Sequence, residues 1–451
     1  MSRAALTASI DDSVSKPPIP TISSPSRRQR IPSRSPYVEP AAWRKCILSS
    51  SSIPTPNPNP NFALRERGEQ AVQVWWQPGD MKMLCYRLVR ANWLLVMVPI
   101  GILAGMLGWP VLAIFLCNLL ALVALAPLMT ALVDKLAAAF GDKLGRLLTA
   151  TMGNVMEIML GIVALVQGHT VVARTSLLGS MLSYALLVLG STIFLAGYNK
   201  QNLKFNGPLT STLSSIMMAM TTALVILTIM AVTSSGDHKD DHLLVLSHGA
   251  AIILLAVFVM YLNFQVNTHA WFLDTLKESD TTSGTNRNVA NEHSRSTLRL
   301  RTASSVGGIA TLCAIVCASF LVDNVEGTAK VLGTSKAFLS LVALPFCGYA
   351  AKGVATISLA RRNRIDYVVK SIIDHILQII LFVFPLLVLL GWIIRQPFTL
   401  NFNIFEATTF FLAIIIMTSI IRGGSSNYFD GIMLVGTYVL IAATFFLRPV
   451  A

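Results

Sequence analysis

Charged residues are scarce in this chain of 451 residues, of which only 13% are Asp, Glu, Lys or Arg. A soluble globular domain has about 25% charged residues, so this composition excludes an ordinary soluble fold. The deficit is uneven, because the first ninety residues are polar and long apolar runs dominate from Asn92 onward. Since roughly 20 apolar residues in a row cross a bilayer core, the sequence predicts an all-α polytopic membrane protein embedded in lipid.

The chain also lacks the short motifs that mark enzyme active sites. It contains no phosphate-binding glycine loop, nucleophile elbow or zinc-binding helix motif, so neither an enzymatic activity nor a bound cofactor is predicted. Its six cysteines show no disulfide framework, and packing is the favoured role of Cys313 and Cys317. No signal peptide is expected, because the first apolar run begins near Asn92.

About eleven apolar runs are long enough to be read as membrane-spanning helices. They follow a Ser/Pro-rich basic tail, residues 1–90, which is predicted to be disordered. A polar linker, residues 267–302, separates helices 1–6 (within 91–266) from helices 7–11 (within 303–451). The predicted helices are 91–108, 110–133, 147–167, 174–197, 211–232, 243–266, 303–324, 336–360, 370–394, 402–421 and 429–447.

The net charge of +13 is distributed as in a membrane protein. Basic residues lie in the tail and in short loops between apolar runs, so we exclude a nucleic-acid partner. The tail, the central linker and the loop at 361–364 carry most of them, whereas the loop at 237–242 is acidic. The positive-inside rule therefore predicts a cytoplasmic N-terminus and a cytoplasmic linker.

Charged and polar groups within the apolar runs are the candidate site residues, because an ionised side chain is costly inside a membrane. Asn154 and Glu157 are three residues apart on one helix face, and their oxygens suit a hard cation such as calcium. A Glu paired with a basic neighbour is the structural alternative. Ser180 and Ser183 share a face of the next predicted helix. Small-residue helix packing is the alternative, and it explains Ser183 almost as well as a ligand role does.

These segments resemble the calcium/proton exchanger family of the cation/calcium exchanger superfamily. In the first half, the matching motifs are Gly153-Asn154-x-x-Glu157 and the stretch from Ser176 to Ser183. In the second half, the matches are Ser335-Lys336-Ala337-Phe338, Gln378, Leu381-Phe382-Val383, Pro385 and Gly391-Trp392. The resemblance covers about residues 90–447. It implies one leading helix followed by two inverted five-helix repeats, and exchange of calcium for protons, commonly across the vacuolar membrane of fungi and plants.

The second repeat departs from the family pattern. In the family, a Glu in each repeat binds the metal and carries the proton, within Gly-Asn-Ala-Ala-Glu-His in the second repeat. This chain instead has Gly348-Tyr349-Ala350-Ala351-Lys352-Gly353. Tyr184, Asp374 and His375 also replace family residues. The resemblance leaves Asn154, Glu157, Ser180, Ser183 and Gln378 as cation- or proton-binding candidates, with Asn154 and Glu157 as the metal ligands.

Lys352 is the most consequential of these departures, because it puts a cation where relatives have a carboxylate. We expect its ammonium to pair with Asp374 or Glu157 inside the former cation site. In the alternative, Asp374 pairs with Lys370 four residues earlier, and Lys352 faces cytoplasmic water.

Two functional hypotheses follow. The first is a membrane antiporter that moves calcium or another cation against protons by alternating access. The second is a transport-dead relative with a regulatory or assembly role, in which Lys352 has abolished the site. An endomembrane location, vacuolar or other, is expected from the resemblance. The sequence leaves the oligomeric state open, and both homo- and hetero-oligomers are compatible with it.

The predicted topology is testable with epitope tags. Tags inserted at residue 20 and at residue 285 should both react with antibody applied to the cytoplasmic face, because the basic tail and linker are retained there. The measurement is protease and antibody accessibility in sealed, oriented vesicles. Protection of both tags would reverse the topology.

Overall fold

The computed structural model describes residues 93–198, 202–233, 239–265, 292–362 and 364–447. The predicted tail, part of the predicted acidic loop and residues 267–291 of the predicted linker lie outside the described residues. The described α-helices, in chain order, are α1 (Met97–Met106), α2 (Val111–Ala139), α3 (Gly141–Met152), α4 (Val155–Val166), α5 (Thr170–Leu182), α6 (Leu189–Gly197), α7 (Gly207–Thr233), α8 (Lys239–Asn263), α9 (Glu292–Asp323), α10 (Val325–Leu332), α11 (Lys336–Phe338), α12 (Leu344–Arg361), α13 (Ile365–Gln378), α14 (Phe384–Ile393), α15 (Ile404–Arg422) and α16 (Tyr428–Leu447).

The described residues are almost entirely helical, as a lipid-embedded chain requires. Lipid cannot hydrogen-bond backbone N–H and C=O groups, and a helix satisfies them within one segment. Eight described helical stretches are long and apolar enough to cross a membrane, and two bent helix pairs bring the number up to ten. The all-α membrane class is therefore confirmed, while the count of eleven spans stays a prediction.

The predicted helix at 147–167 is wrong as a single element. The structure divides it into α3 and α4, which are bent by 49° at Gly153–Asn154. Glycine is a poor helix former, and Asn154 has φ −107° and ψ 33°, outside the helical region. The break places the start of α4, and with it Glu157, inside the bundle rather than along a straight span.

Two other boundaries also differ from the prediction. α9 begins at Glu292 rather than at 303, because no proline or glycine interrupts residues 292–306 and extending an existing helix costs little. The short helix α10 was not predicted. It ends at Gly333, whose φ of 65° is the left-handed conformation that commonly closes a helix.

Three π-helical segments interrupt the regular helices: Ser183–Val188 between α5 and α6, Leu339–Ala343 before α12, and Ile379–Val383 between α13 and α14. Such segments are rare and are frequent at functional sites. The first segment begins about as many residues after position 157 as the third begins after position 352. The two halves of the chain therefore correspond in the placement of these segments. They differ at the candidate positions themselves, because α12 runs through Lys352 without the break that precedes Glu157.

The helices that carry two of these π segments form the centre of the bundle. The most apolar 18-residue stretch of each span differs in burial. In that stretch 83% of the residues are buried in Thr170–Gly197 and 67% in Ile365–Ile393, against 28% in both Thr210–Thr233 and Leu243–Asn263. The candidate site therefore lies among the central helices, and α7 and α8 present apolar side chains outward.

A two-stranded ribbon closes one end of the bundle. Strands β1 (Leu203–Lys204) and β2 (Ser425–Ser426) pair antiparallel, with Leu203 opposite Ser426. The Asp366 carboxylate, in the first turn of α13, accepts a hydrogen bond from the backbone N–H of Asn206 at 2.5 Å. The ribbon and the start of α13 therefore share this end of the molecule.

Gly179 permits the closest crossing at the centre of the bundle. A Cβ added there would lie 2.1 Å from the carbonyl oxygen of Leu341, which belongs to a π segment of the second half. Small residues allow helix backbones to approach closely in membranes, so this contact holds the two halves together near the candidate site.

We expect Gly179→Ala to destabilise the protein, because the methyl group would push two backbones apart at an overpacked contact, typically a loss of about 1–3 kcal/mol. The measurement is thermal unfolding of the full chain in detergent. Gly249→Ala is the control, since a Cβ there meets nothing within 4 Å, and it should leave stability unchanged or slightly higher. Equal melting temperatures for the two variants would contradict the close crossing.

Candidate cation site

Glu157 lies in the first turn of α4, directly after the helix break, and is only 3% exposed. The start of a helix carries partial positive charge, which favours a carboxylate there. Both carboxylate oxygens are buried and make no hydrogen bond to any described residue. The Nε2 atom of His375, on α13, is the nearest partner and lies 3.4 Å from Oε1, within ion-pair distance. Glu157 thus faces the second half of the chain.

Gly348 makes room for this carboxylate. A Cβ at position 348 would lie 2.4 Å from Oε1 of Glu157, and the three nearest atoms all belong to the Glu157 carboxyl group. Gly348 opens the altered motif of the second half, but the sequence alone does not indicate this contact. The glycine is needed because the carboxylate packs directly on the backbone of α12.

Asn154 joins the helix break to α13. Its Nδ2 atom donates to the carbonyl oxygen of His375 at 3.4 Å and to Oε1 of Gln378 at 3.3 Å. Its Oδ1 atom is buried and has no hydrogen-bond partner among the described residues. The structure therefore brings the predicted residues Asn154, Glu157 and Gln378 together, although they come from opposite halves of the sequence.

The other predicted ligands lie on α5 and the π segment after it. Ser180 is buried, and Ser183 is hydrogen-bonded to the hydroxyl of Tyr438 at 3.2 Å. Tyr184 packs against the imidazole of His375, with ring centroids 3.8 Å apart and the ring planes tilted by 45°. Tyr349 meets Tyr184 edge-on at 6.4 Å. Three of the altered positions, Tyr184, Tyr349 and His375, thus form a cluster of rings beside Glu157. A ligand role for the two serines stays a prediction.

The predicted pairing of Lys352 with Asp374 is wrong. The Asp374 carboxylate is engaged by Lys370 and accepts a hydrogen bond from the hydroxyl of Tyr261 at 2.6 Å, so the local alternative is confirmed for Asp374. A partner four residues away on the same helix needs no long reach across the bundle, which explains why it prevails.

Lys352 instead reaches back to the first half of the chain. Its half-buried ammonium donates to the carbonyl oxygen of Gly153 at 2.6 Å. No ion pair within 4 Å joins it to Glu157 in the described part of the chain, although the two charges interact electrostatically. Lys352 therefore does not pair directly with Glu157 as predicted. It bonds instead to the backbone of Gly153, four residues before Glu157.

A cavity of about 1140 Å³ reaches this site. Its lining includes Gly153, Lys352, His375 and Gln378, together with Asp134 of α2. Asp134 was not singled out from the sequence, because the predicted helix ended at 133. The observed α2 continues to Ala139, so a second carboxylate lies on the cavity wall.

The chain is similar to a known family of membrane proteins. The family described as "Sodium/calcium exchanger protein" matches residues 110–267 and 305–447, which together are more than half of the chain.

Curated relatives match about four fifths of this chain. The "Vacuolar calcium ion transporter" of Schizosaccharomyces pombe is 33% identical over 360 residues, covering 79% of this chain and 85% of the relative. The "Ca(2+)/H(+) antiporter" of Synechocystis is 33% identical over 365 residues, covering 79% and 96%. The "Vacuolar cation/proton exchanger 2" of Arabidopsis thaliana is 31% identical over 366 residues, covering 80% and 81%.

Solved structures share the fold. A "Structure of native YfkE" aligns with a TM-score of 0.65 at 27% identity, covering 80% of this chain and 99% of that one. A "Crystal Structure of H+/Ca2+ Exchanger CAX" aligns with a TM-score of 0.58 at 10% identity, covering 81% and 93%, which supports the fold alone.

The contact between Gly348 and Glu157 is testable by a double-mutant cycle. Gly348→Ala should destabilise the protein by about 1–3 kcal/mol, because its methyl group displaces a buried carboxylate. In a Glu157→Ala background the same change should cost little, since the clashing atoms are gone. The measurement is thermal unfolding in detergent, with Gly353→Ala on the same helix as control, where the nearest atom is 3.8 Å away. An equal loss in both backgrounds would contradict the contact.

Proposed function

The chain belongs to the sodium/calcium exchanger protein family, and from that membership we propose that it is a membrane antiporter of the calcium/proton exchanger type. Its substrates are calcium or another cation on one side of the exchange and protons on the other. The relatives named as a calcium ion transporter, a Ca(2+)/H(+) antiporter and a cation/proton exchanger each match at least 79% of this chain.

One observation carries the proposal: three buried oxygens at and just after a helix break make no hydrogen bond to a described residue, although the Nε2 atom of His375 lies 3.4 Å from one of them. They are Oδ1 of Asn154 and the two carboxylate oxygens of Glu157. A buried polar atom without a partner is costly. Carboxylate and amide oxygens are the ligands that calcium prefers, and binding a cation here would satisfy all three. Calcium is the cargo in this proposal, not a resident metal.

The position of these oxygens suits a transport site. In transporters built from repeats, substrate sites lie where the two halves meet, at discontinuous helices near the middle of the membrane. Here the break between α3 and α4 meets α13 through Asn154 and Gln378. The cavity adjoins these oxygens, since Gly153, His375 and Gln378 line it. The side chains of Gln378 and Ser180 carry further oxygen atoms that suit a cation.

Exchange follows from the chemistry of Glu157. A single carboxylate holds either a proton or a metal cation, so binding of one displaces the other. Because Glu157 is the buried carboxylate at the helix break, it is the group that we assign to both ions. The names of two relatives support a vacuolar membrane for this chain. The basic residues of the tail and loops are the basis for placing the N-terminus in the cytoplasm.

The assembly role without transport has less support. Lys352 motivates it, yet Asn154 and Glu157 keep the family motif, and three of their side-chain oxygens make no hydrogen bond to a described residue. No observation on the described residues identifies a surface for a partner subunit.

Replacing Glu157 tests the proposal. Vesicles holding the wild-type chain, with an acidic interior, should take up calcium or a competing cation, whereas Glu157→Gln should abolish uptake because its amide cannot exchange a proton for a cation. Glu326→Gln is the control. Glu326 pairs with the exposed side chains of Lys330 and Lys336, and none of the three lines the cavity. The measurement is radiolabelled calcium uptake, with folding checked by size-exclusion chromatography. Uptake by Glu157→Gln at the wild-type rate would refute the assignment.

A further inference from the structure

Lys352 crosses from the second half of the chain to the helix break of the first half. Its ammonium donates to the carbonyl oxygen of Gly153 at 2.6 Å, and Gly153 follows the last residue of α3. Carbonyl oxygens in the last turn of a helix lack partners within the helix, and that end carries partial negative charge. The side chain therefore places a positive charge where the backbone itself attracts cations.

The Gly153 carbonyl lies next to the proposed cation site. Gly153 directly precedes Asn154, and Glu157 lies one helical turn further on. Gly153 and Lys352 both line the cavity. The ammonium interacts electrostatically with the carboxylates of Glu157 and Asp134. A metal cation that binds Glu157 therefore meets Lys352 as a charge of the same sign.

Nearby acids do not cancel this charge by direct contact. Asp374, on the neighbouring helix, is held by Lys370 and Tyr261. No carboxylate lies within 4 Å of the Lys352 ammonium in the part of the chain that the structure describes. The repulsion between Lys352 and an entering cation is therefore exerted within the site.

We propose that Lys352 is a specificity-determining residue: a tethered cation that occupies the Gly153 carbonyl and competes with the transported ion. This inference rests on the proposed function, because it assigns Lys352 a role toward the cation that Glu157 binds. Coulomb repulsion is proportional to the charge of the ion, so Lys352 penalises a divalent cation about twice as strongly, in free energy, as a monovalent one. It shifts the selectivity of the site away from calcium and toward cations of lower charge.

Equilibrium binding to the purified full chain tests this. The probes are ⁴⁵Ca²⁺ and, for a monovalent cation, ⁸⁶Rb⁺, each titrated against wild type and Lys352→Met, which keeps length and removes charge. We expect calcium affinity to rise by about tenfold or more in Lys352→Met, and rubidium affinity to rise by a smaller factor, close to the square root of the calcium factor. Lys352→Gln is a second uncharged variant, for use if Lys352→Met does not fold.

Two further variants separate charge at the site from charge in general. Lys352→Arg keeps the positive charge and should keep the low calcium affinity. Lys204→Met removes one lysine from the exposed face of β1, outside the cavity, and should bind calcium as the wild type does. A gain in Lys204→Met equal to that in Lys352→Met would overturn the proposal, because any lysine would then serve.

Failure of the selectivity role of Lys352 can be distinguished from failure of the antiporter proposal. If Lys352→Met binds calcium no more tightly than wild type while Glu157→Gln abolishes binding, Lys352 only caps α3 and the antiporter proposal stands. An equal gain for rubidium and calcium would also overturn the selectivity role. If neither wild type nor Lys352→Met binds or transports any cation, both proposals fall.

Discussion

Glu157 places a carboxylate inside a bundle of membrane-spanning helices, where an ionised side chain costs about 2.5–3.5 kcal/mol even on the most lenient scales. Much of the surrounding structure compensates for this single charge. The helix break before α4 presents a helix start to the carboxylate, Gly348 leaves space for it, and His375 and Lys352 bring positive or protonatable groups near it. Removing any one of them alters how the carboxylate is held.

The two halves of the bundle contribute different groups around the buried Glu157 carboxylate. The first half breaks its helix and contributes oxygen atoms, whereas the second half keeps α12 continuous and contributes an ammonium group. A site with one carboxylate and one fixed cation has little net charge. It differs in this respect from a calcium site with several carboxylates, and the difference concerns which ion is preferred rather than whether the fold supports transport.

The charged residues of the cavity illustrate how local geometry competes with long reach. Asp374 pairs with Lys370 on its own helix, and Tyr261 completes the group. Lys352 instead donates to a backbone carbonyl, that of Gly153, in the other half of the chain. Lysine has a long flexible stem and no fixed geometry for its donors, so such a contact cannot be inferred from spacing along the sequence.

The sequence by itself determined the membrane class, the position of most helices and the candidate residues in the first half of the chain. Apolar run length and the cost of burying charge depend only on local composition. The tertiary structure decided the rest: the break at Gly153–Asn154, the carboxylate of Asp134 on the cavity wall, and the partners of Asp374 and Lys352. These depend on which backbone atoms face one another after the helices pack, and contacts between distant segments leave no periodic trace in the sequence.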